Sequence, residues 1–203
     1  MVIGLTGAIG SGKSTVSRLF SEAGFAIVDC DAISRGLDAE PKYIRAVREA
    51  FGDGVIDMAG GTARISRKEL AELAFASTEA KRKIESIAHP IILGIVYERV
   101  DAAKKLKKDI VIDAPLLFES GLDGICDVTV GVVADEKLRF ERAMKRGGIT
   151  EENLRRRMEL QPKNEFYTSK CNYIIENNGT ADDLRTAFLA LLSSVGKGGM
   201  NDG

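Results

Sequence analysis

The sequence predicts an α/β protein built on a five-stranded parallel sheet. Three observations carry that expectation: five short apolar runs alternate with helix-period segments along 203 residues, a glycine-rich turn joins the first run to the first helix, and two of the runs end in aspartate. With 44% hydrophobic and 29% charged residues the chain is ordinary globular material, which excludes collagen, coiled coil and disorder. Its 29 Lys+Arg against 30 Asp+Glu leave no basic field for nonspecific nucleic-acid or anionic-membrane binding, so an anionic ligand must be held by a local site.

Val2 to Thr6 reads as a buried strand, and Val16, Leu19 and Phe20 give the segment from Lys13 to about Ala23 helical spacing. Phe25 to Val28 is the second strand, leading into Asp29-Cys30-Asp31. Between Pro41 and Lys108 the pattern is helical almost throughout, with a capping box at Ser66 to Glu69 and Pro90 suited to the first turn of a later helix. That is too much helix for one crossover, so residues 41–107 are expected to form an inserted lobe beside the carboxyl ends of the sheet, where ligands of open α/β folds bind. Ile110 to Ile112 is the third strand and ends in Asp113; Val128 to Val133 and Tyr173 to Ile175 complete the sheet, followed by helices near Asp135–Arg146 and Asp182–Leu192. Residues 137–160 are expected to act as a lid, because 137–157 holds eight basic against three acidic residues, and the glycine-rich tail 196–203 is expected to be disordered.

No run approaches a membrane span and no signal peptide is expected. Cys30, Cys126 and Cys171 lie far apart and His89 is the sole histidine, so no familiar zinc spacing exists and a reduced, cytoplasmic setting is expected.

Gly7-Ala8-Ile9-Gly10-Ser11-Gly12-Lys13-Ser14 matches G-x-x-x-x-G-K-[ST] between a strand and a helix, the context this phosphate-binding pattern requires. It points to a three-layer P-loop NTPase fold. The glycines let backbone N–H groups surround phosphates, Lys13 reaches the β and γ oxygens of ATP, Ser14 can ligate Mg2+, and Thr15 follows near the α-phosphate. Asp113 stands where a Walker-B carboxylate holds the ion. Asp29 and Asp31, two apart in an extended segment, should point opposite ways; either caps a helix, or one orients and deprotonates an acceptor hydroxyl, with Asp31 favoured. Leu116, Leu117 and Phe118, after Pro115, form either a substrate wall or core. Arg142 and Arg146 share a helical face and can converge on one anion, whereas Arg155 and Arg156 read as solvated. Lys104 to Lys108 closes a helix, and His89 reads as a helix-boundary residue rather than a base.

The phosphate loop, Asp29-Cys30-Asp31 with Ile33 and Arg35, His89-Pro90, Asp113 to Glu119, Arg142 with Arg146, Arg157 with Gln161, and Asn177-Asn178-Gly179 occur in an order that resembles the dephospho-CoA kinase family from residue 2 to about 190. The resemblance implies a nucleoside-monophosphate-kinase-like core with a helical substrate lobe and a lid. It implies transfer of the ATP γ-phosphate, with Mg2+, to the ribose 3′-hydroxyl of dephospho-CoA, giving coenzyme A. On that basis Lys13, Asp31 and Arg142 are expected to be catalytic. Gly7, Gly10, Ser11, Gly12, Lys13, Ser14, Thr15, Arg142, Arg146, Asn177 and Gly179 would hold the nucleotide; Asp31, Arg35, His89, Leu116, Leu117, Phe118 and Glu119 the second substrate; and Ser14 and Asp113 the metal. Expected partners are small molecules alone, with no nucleic acid or membrane, in a monomer or weak homo-oligomer. Cys171-Asn172 departs from the Ala-Asp usual in the family before the last strand.

Other kinases compete with this reading. Shikimate kinase also joins a phosphate loop to Asp-x-Asp, but its triple glycine is missing here; a nucleoside monophosphate kinase is a further candidate. Asp57-Met58-Ala59-Gly60 could pass for a GTPase switch, yet no Asn-Lys-x-Asp string occurs, and a non-catalytic ATP-binding module would not need Lys13, Ser14, Asp31 and Asp113 together.

Overall fold

A computed structural model describes residues 1–58 and 61–198. Ala59 and Gly60 of the switch-like string, and 199–203 of the expected tail, lie outside the described residues; 196–198 belong to the last helix. The chain divides into two compact units, Met1–Val28 with Ala102 onward, and Asp29–Asp101.

The first unit is built on the sheet. Strands β1 (Val2–Thr6), β5 (Ile110–Asp113), β6 (Val128–Val133) and β7 (Tyr173–Glu176) join β2 (Ala26–Asp29) in the order β2-β5-β1-β6-β7. The β1–β5, β1–β6 and β6–β7 pairs are parallel, so β1 sits at the centre and its carboxyl end opens between β5 and β6. Side-chain alternation sends Ile3 and Leu5 to one face, where they meet Val16, Leu19 and Phe20 of α1 (Lys13–Glu22) and Leu184, Phe188 and Leu191 of α9 (Ala181–Gly198). Phe20 is fully buried, with edge-on contacts to Phe25 and Phe188 at 5.2 and 4.9 Å; burying such a ring stabilises the fold by about 2–3 kcal/mol. Gly4 faces the other side, where a Cβ would lie 2.8 Å from Leu117. That face also carries Tyr167 of α8 (Asn164–Lys170) packed with Ala8 and Val133. Helices on both faces make three layers.

Asn172, just before β7, accepts from Thr129 N at 2.8 Å and Thr129 Oγ1 at 2.9 Å, while its own N–H donates to Thr129 Oγ1 at 3.1 Å. Its amide oxygen does what a carboxylate oxygen at this position could do, so the departure at Cys171-Asn172 is local. Burial pushes the Cys171 thiol up to about 11, which leaves it in the inert thiol form.

The second unit begins at Asp29 rather than at the expected Pro41, because α2 (Cys30–Gly36) and the following turn bring Leu37 against Tyr43 and Val47 of α3 (Pro41–Phe51). Its helical pattern is interrupted by a two-residue antiparallel pair, β3 (Ile56–Asp57) with β4 (Arg64–Ile65), before α4 (Arg67–Ala76), capped by Ser66 as the sequence suggests. Pro90 does not start a helix: it lies inside α5 (Thr78–Lys105). Ile87, Ala88, Ile91, Ile92 and Ile95 on either side of it all pack into the Tyr43–Val47 cluster, and that burial holds the helix through a residue that lacks an N–H donor. His89 is therefore mid-helix and exposed, not at a boundary.

Candidate active site

The loop after β1 is shaped by glycines that no other residue could replace. Gly10 has φ +77° and a Cβ there would collide with the carbonyl of Arg139; Gly12 has φ +98° and a Cβ would collide with the Asn177 side chain. Gly12 is also the N-cap of α1, and no side chain caps that first turn. The uncapped helix start leaves donors and the positive dipole end for an anion. Ser11 is buried, and its Oγ has no hydrogen-bond partner among the described residues. An orphaned hydroxyl inside a glycine cradle at a helix start fits a bound phosphate chain.

The loop's outer groups are held by three side chains. Asn177 Nδ2 donates to the Ser11 carbonyl at 2.8 Å, Arg139 Nε donates to the Ile9 carbonyl at 3.1 Å, and the Ile9 N–H donates to Gln161 Oε1 at 2.9 Å. Arg139, on α6 (Glu136–Arg146), is only 5% exposed, and burial pulls its pKa below the ordinary guanidinium value. Sequence reasoning missed this residue, since it is the four-apart pair Arg142 and Arg146 that stands out from the basic stretch; the signal available was Ala143, four residues on, which shares the buried face.

Lys13 forms an ion pair with Asp113 at the end of β5, and both side chains are largely buried. Ser14 and Thr15 follow on α1, Ser14 exposed. Among the described residues no three His, Cys, Asp or Glu side chains cluster as a metal site. A divalent ion here would need phosphate oxygens beside the Ser14 hydroxyl and Asp113 carboxylate; that hard-oxygen set fits Mg2+, which is commonly held by one or two protein ligands plus substrate phosphates.

Arg142 and Arg146 share α6 but have different surroundings. Arg142 Nη1 donates to the Asn177 carbonyl at 2.7 Å, while Arg146 is exposed in the last turn of α6, where its charge complements the dipole. Asn177 is itself buried, and its side chain is committed to the Ser11 carbonyl of the phosphate loop. Gly179 leaves room for Asp183, whose carboxylate is bonded by the Thr180 hydroxyl and N–H and is held below the usual carboxylate range. Arg155, on α7 (Glu151–Glu159), is not simply solvated: it pairs with Glu151 at 2.7 Å and lies 4.5 Å from the Phe140 ring centroid.

After β5 the apolar residues part company. Leu117 is core, fully buried against Gly4, and not part of a substrate wall. Leu116 is exposed; Phe118 is half-buried, 5.7 Å from Phe166 with Lys170 Nζ 5.3 Å from its centroid. Glu119 is exposed, and its charge adds to the burial that pushes Tyr167 up to about 12.

In the second unit, Asp29 and Asp31 do not share one extended segment: Asp29 ends β2 with extended backbone, and Asp31 already belongs to α2. Asp29 caps α2 by accepting from Ala32 N at 2.8 Å and lies 3.7 Å from Arg35, whereas Asp31 sits in the helix's exposed first turn. The reason is that the Asp29 side chain supplies the acceptor that lets a helix start at once after β2. Among the described residues no hydrogen bond or ion pair engages the Asp31 carboxylate. Arg35 also lines a cavity of about 430 Å³ with Asp38, Tyr43, Arg67 and Leu70.

Fold and loop together define a P-loop phosphotransferase of the small-molecule kinase type. A shikimate kinase from Bacteroides thetaiotaomicron shares the fold, with a TM-score of 0.55 at 15% identity over 96% of this chain and 98% of that one. The dephospho-CoA kinase family model matches residues 1–183, and the chain belongs to that family. It is 36% identical to the dephospho-CoA kinase of Fusobacterium nucleatum, covering 91% of this chain and 93% of that protein. The structure of dephospho-CoA kinase from Campylobacter jejuni aligns with a TM-score of 0.73 at 26% identity, covering 98% of both chains. The family match does not favour the shikimate, nucleoside monophosphate or GTP-switch readings. No helix among the described residues is long and apolar enough to cross a membrane.

Proposed function

We propose that the protein transfers the γ-phosphoryl group of ATP to the ribose 3′-hydroxyl of dephospho-CoA. The bond from the γ-phosphorus to the β–γ bridging oxygen breaks, a bond to the 3′-oxygen forms, and the hydroxyl proton goes to Asp31; the products are coenzyme A and ADP. The observation that carries this reading is the family match across residues 1–183, joined to a phosphate loop whose Lys13 is held by Asp113. Lys13 moves from Asp113 to the β and γ oxygens when nucleotide binds, and the loop amides and the start of α1 hold the remaining phosphate charge. Ser14 and Asp113 would hold Mg2+, which would supply charge neutralisation on the phosphates. Arg35, His89, Leu116, Phe118 and Glu119 are assigned to the dephospho-CoA side, and Arg142 and Arg146 to the nucleotide side. The partners are small molecules, the setting cytoplasmic, and the chain a monomer or weak homo-oligomer.

The test is a transfer assay with ATP, magnesium and dephospho-CoA, shikimate, AMP or CMP as acceptor. Dephospho-CoA should gain one phosphoryl group; transfer to shikimate but not to dephospho-CoA would sink the reading. Residues 137–160 are assigned as a lid that excludes water from the γ-phosphate. Amide hydrogen exchange across 137–157 should slow when ATP and dephospho-CoA analogues are bound together, and identical exchange with and without ligands would remove the lid.

A further inference from the structure

Ile9, at the tip of the phosphate loop, has both backbone polar groups engaged by side chains from distant segments. Its carbonyl accepts from Arg139 on α6, and its N–H donates to Gln161, which follows α7. In a trans peptide the C=O and the next residue's N–H point in opposite directions. Drawing the Ile9 carbonyl outward to Arg139 therefore turns the Gly10 N–H toward the interior of the loop. The same logic holds one step on, where Asn177 draws the Ser11 carbonyl outward and so turns the Gly12 N–H inward. The Ile9 N–H, drawn outward to Gln161, leaves the Ala8 carbonyl facing inward, where it accepts from Ser11 N at 3.1 Å. A guanidinium that is 5% exposed is costly to desolvate, and an apolar side chain could fill its place on α6; what the apolar residue could not supply is the donor to Ile9.

We propose that Arg139 and Gln161 are positioning residues that aim the phosphate-loop amides by holding the Ile9 peptide groups from opposite sides. The inference rests on the reading of the chain as an ATP-dependent kinase, but not on its acceptor. It makes phosphate affinity depend on α6 and on the segment after α7, neither of which supplies an atom of the loop. The guanidinium acts through its Nε–H, not through its charge, and this distinguishes it from an arginine that contacts phosphate.

The test uses the full chain and isothermal calorimetry with ADP. Glutamine carries a nitrogen donor the same number of bonds from Cα as arginine Nε, whereas methionine puts a methyl group there. Arg139→Met should weaken ADP binding by about 10-fold and raise the KM for ATP by a similar factor, while the affinity for dephospho-CoA changes by less than about 2-fold. Arg139→Gln should restore most of the lost ADP affinity. On the other side, Gln161→Met should weaken ADP binding and Gln161→Glu, which keeps the acceptor oxygen, should not; this pair decides the matter if Arg139→Met does not fold. ADP affinity unchanged in both methionine variants, or Arg139→Gln as weak as Arg139→Met, would overturn the proposal. A protein that shows this ADP pattern but never phosphorylates dephospho-CoA would refute the assigned reaction and leave the positioning role standing.

Discussion

Lys13→Ala is expected to lower turnover by about 10³-fold or more, measured as initial rate at saturating ATP and dephospho-CoA. In the proposed reaction the Lys13 ammonium would leave Asp113 for the β and γ oxygens, and the loop offers no other side-chain cation to meet the charge developing on the leaving phosphate. The structure adds a second consequence. Asp113 is paired with Lys13 and nearly buried, so removing the lysine alone strands a carboxylate and should cost about 2–4 kcal/mol of stability, read as a lower denaturant midpoint. Adding Asp113→Asn to Lys13→Ala should recover most of that stability, because no buried charge is left unpaired, and should recover none of the turnover. If the double variant regained activity, Lys13 would be serving the fold and not the phosphates.

The sequence specifies some elements of the site locally and leaves others to tertiary packing. The central part of the site was legible because β1, the loop and α1 are specified by contiguous residues: an apolar run, glycines at fixed offsets and the Lys-Ser pair at a helix start. Asp113 was legible for a similar reason, since it closes an unmistakable β-branched run. The errors arise where one local signal competes with tertiary packing. Pro90 reads as a helix start, yet isoleucines on both sides bury into the Tyr43–Val47 cluster and carry α5 through it. Leu117 and Leu116 are identical residues in one turn, and it is Leu117 that enters the core, in space that a side chain at Gly4 would occupy. Arg139 is the clearest limit. Ala143, four residues on, hints that it shares a buried face, but its partner, the Ile9 carbonyl 3.1 Å away, is 130 residues distant in the chain and has no sequence signal.

Asp31→Asn is expected to lower turnover by about 10² to 10⁴-fold with little change in ATP affinity, since asparagine keeps the shape and loses the basicity that accepts the hydroxyl proton. The neighbouring Asp29 supplies the contrast. Asp29 is occupied as the cap of α2 and lies close to Arg35, so its carboxylate has a structural use that asparagine can largely replace. Asp31 is exposed in the same helical turn with no such commitment, so its substitution should leave the denaturant midpoint within about 0.5 kcal/mol of the parent. The two variants therefore separate the roles cleanly: Asp31→Asn should be folded and slow, and Asp29→Asn folded and close to normal in rate. A loss confined to ATP affinity in Asp31→Asn would move that residue to the magnesium shell. A pH–rate profile for kcat carries the remaining distinction, because a base at Asp31 requires the acid limb of the parent's profile to disappear in Asp31→Asn; a limb that persists unshifted would show that another group takes the proton.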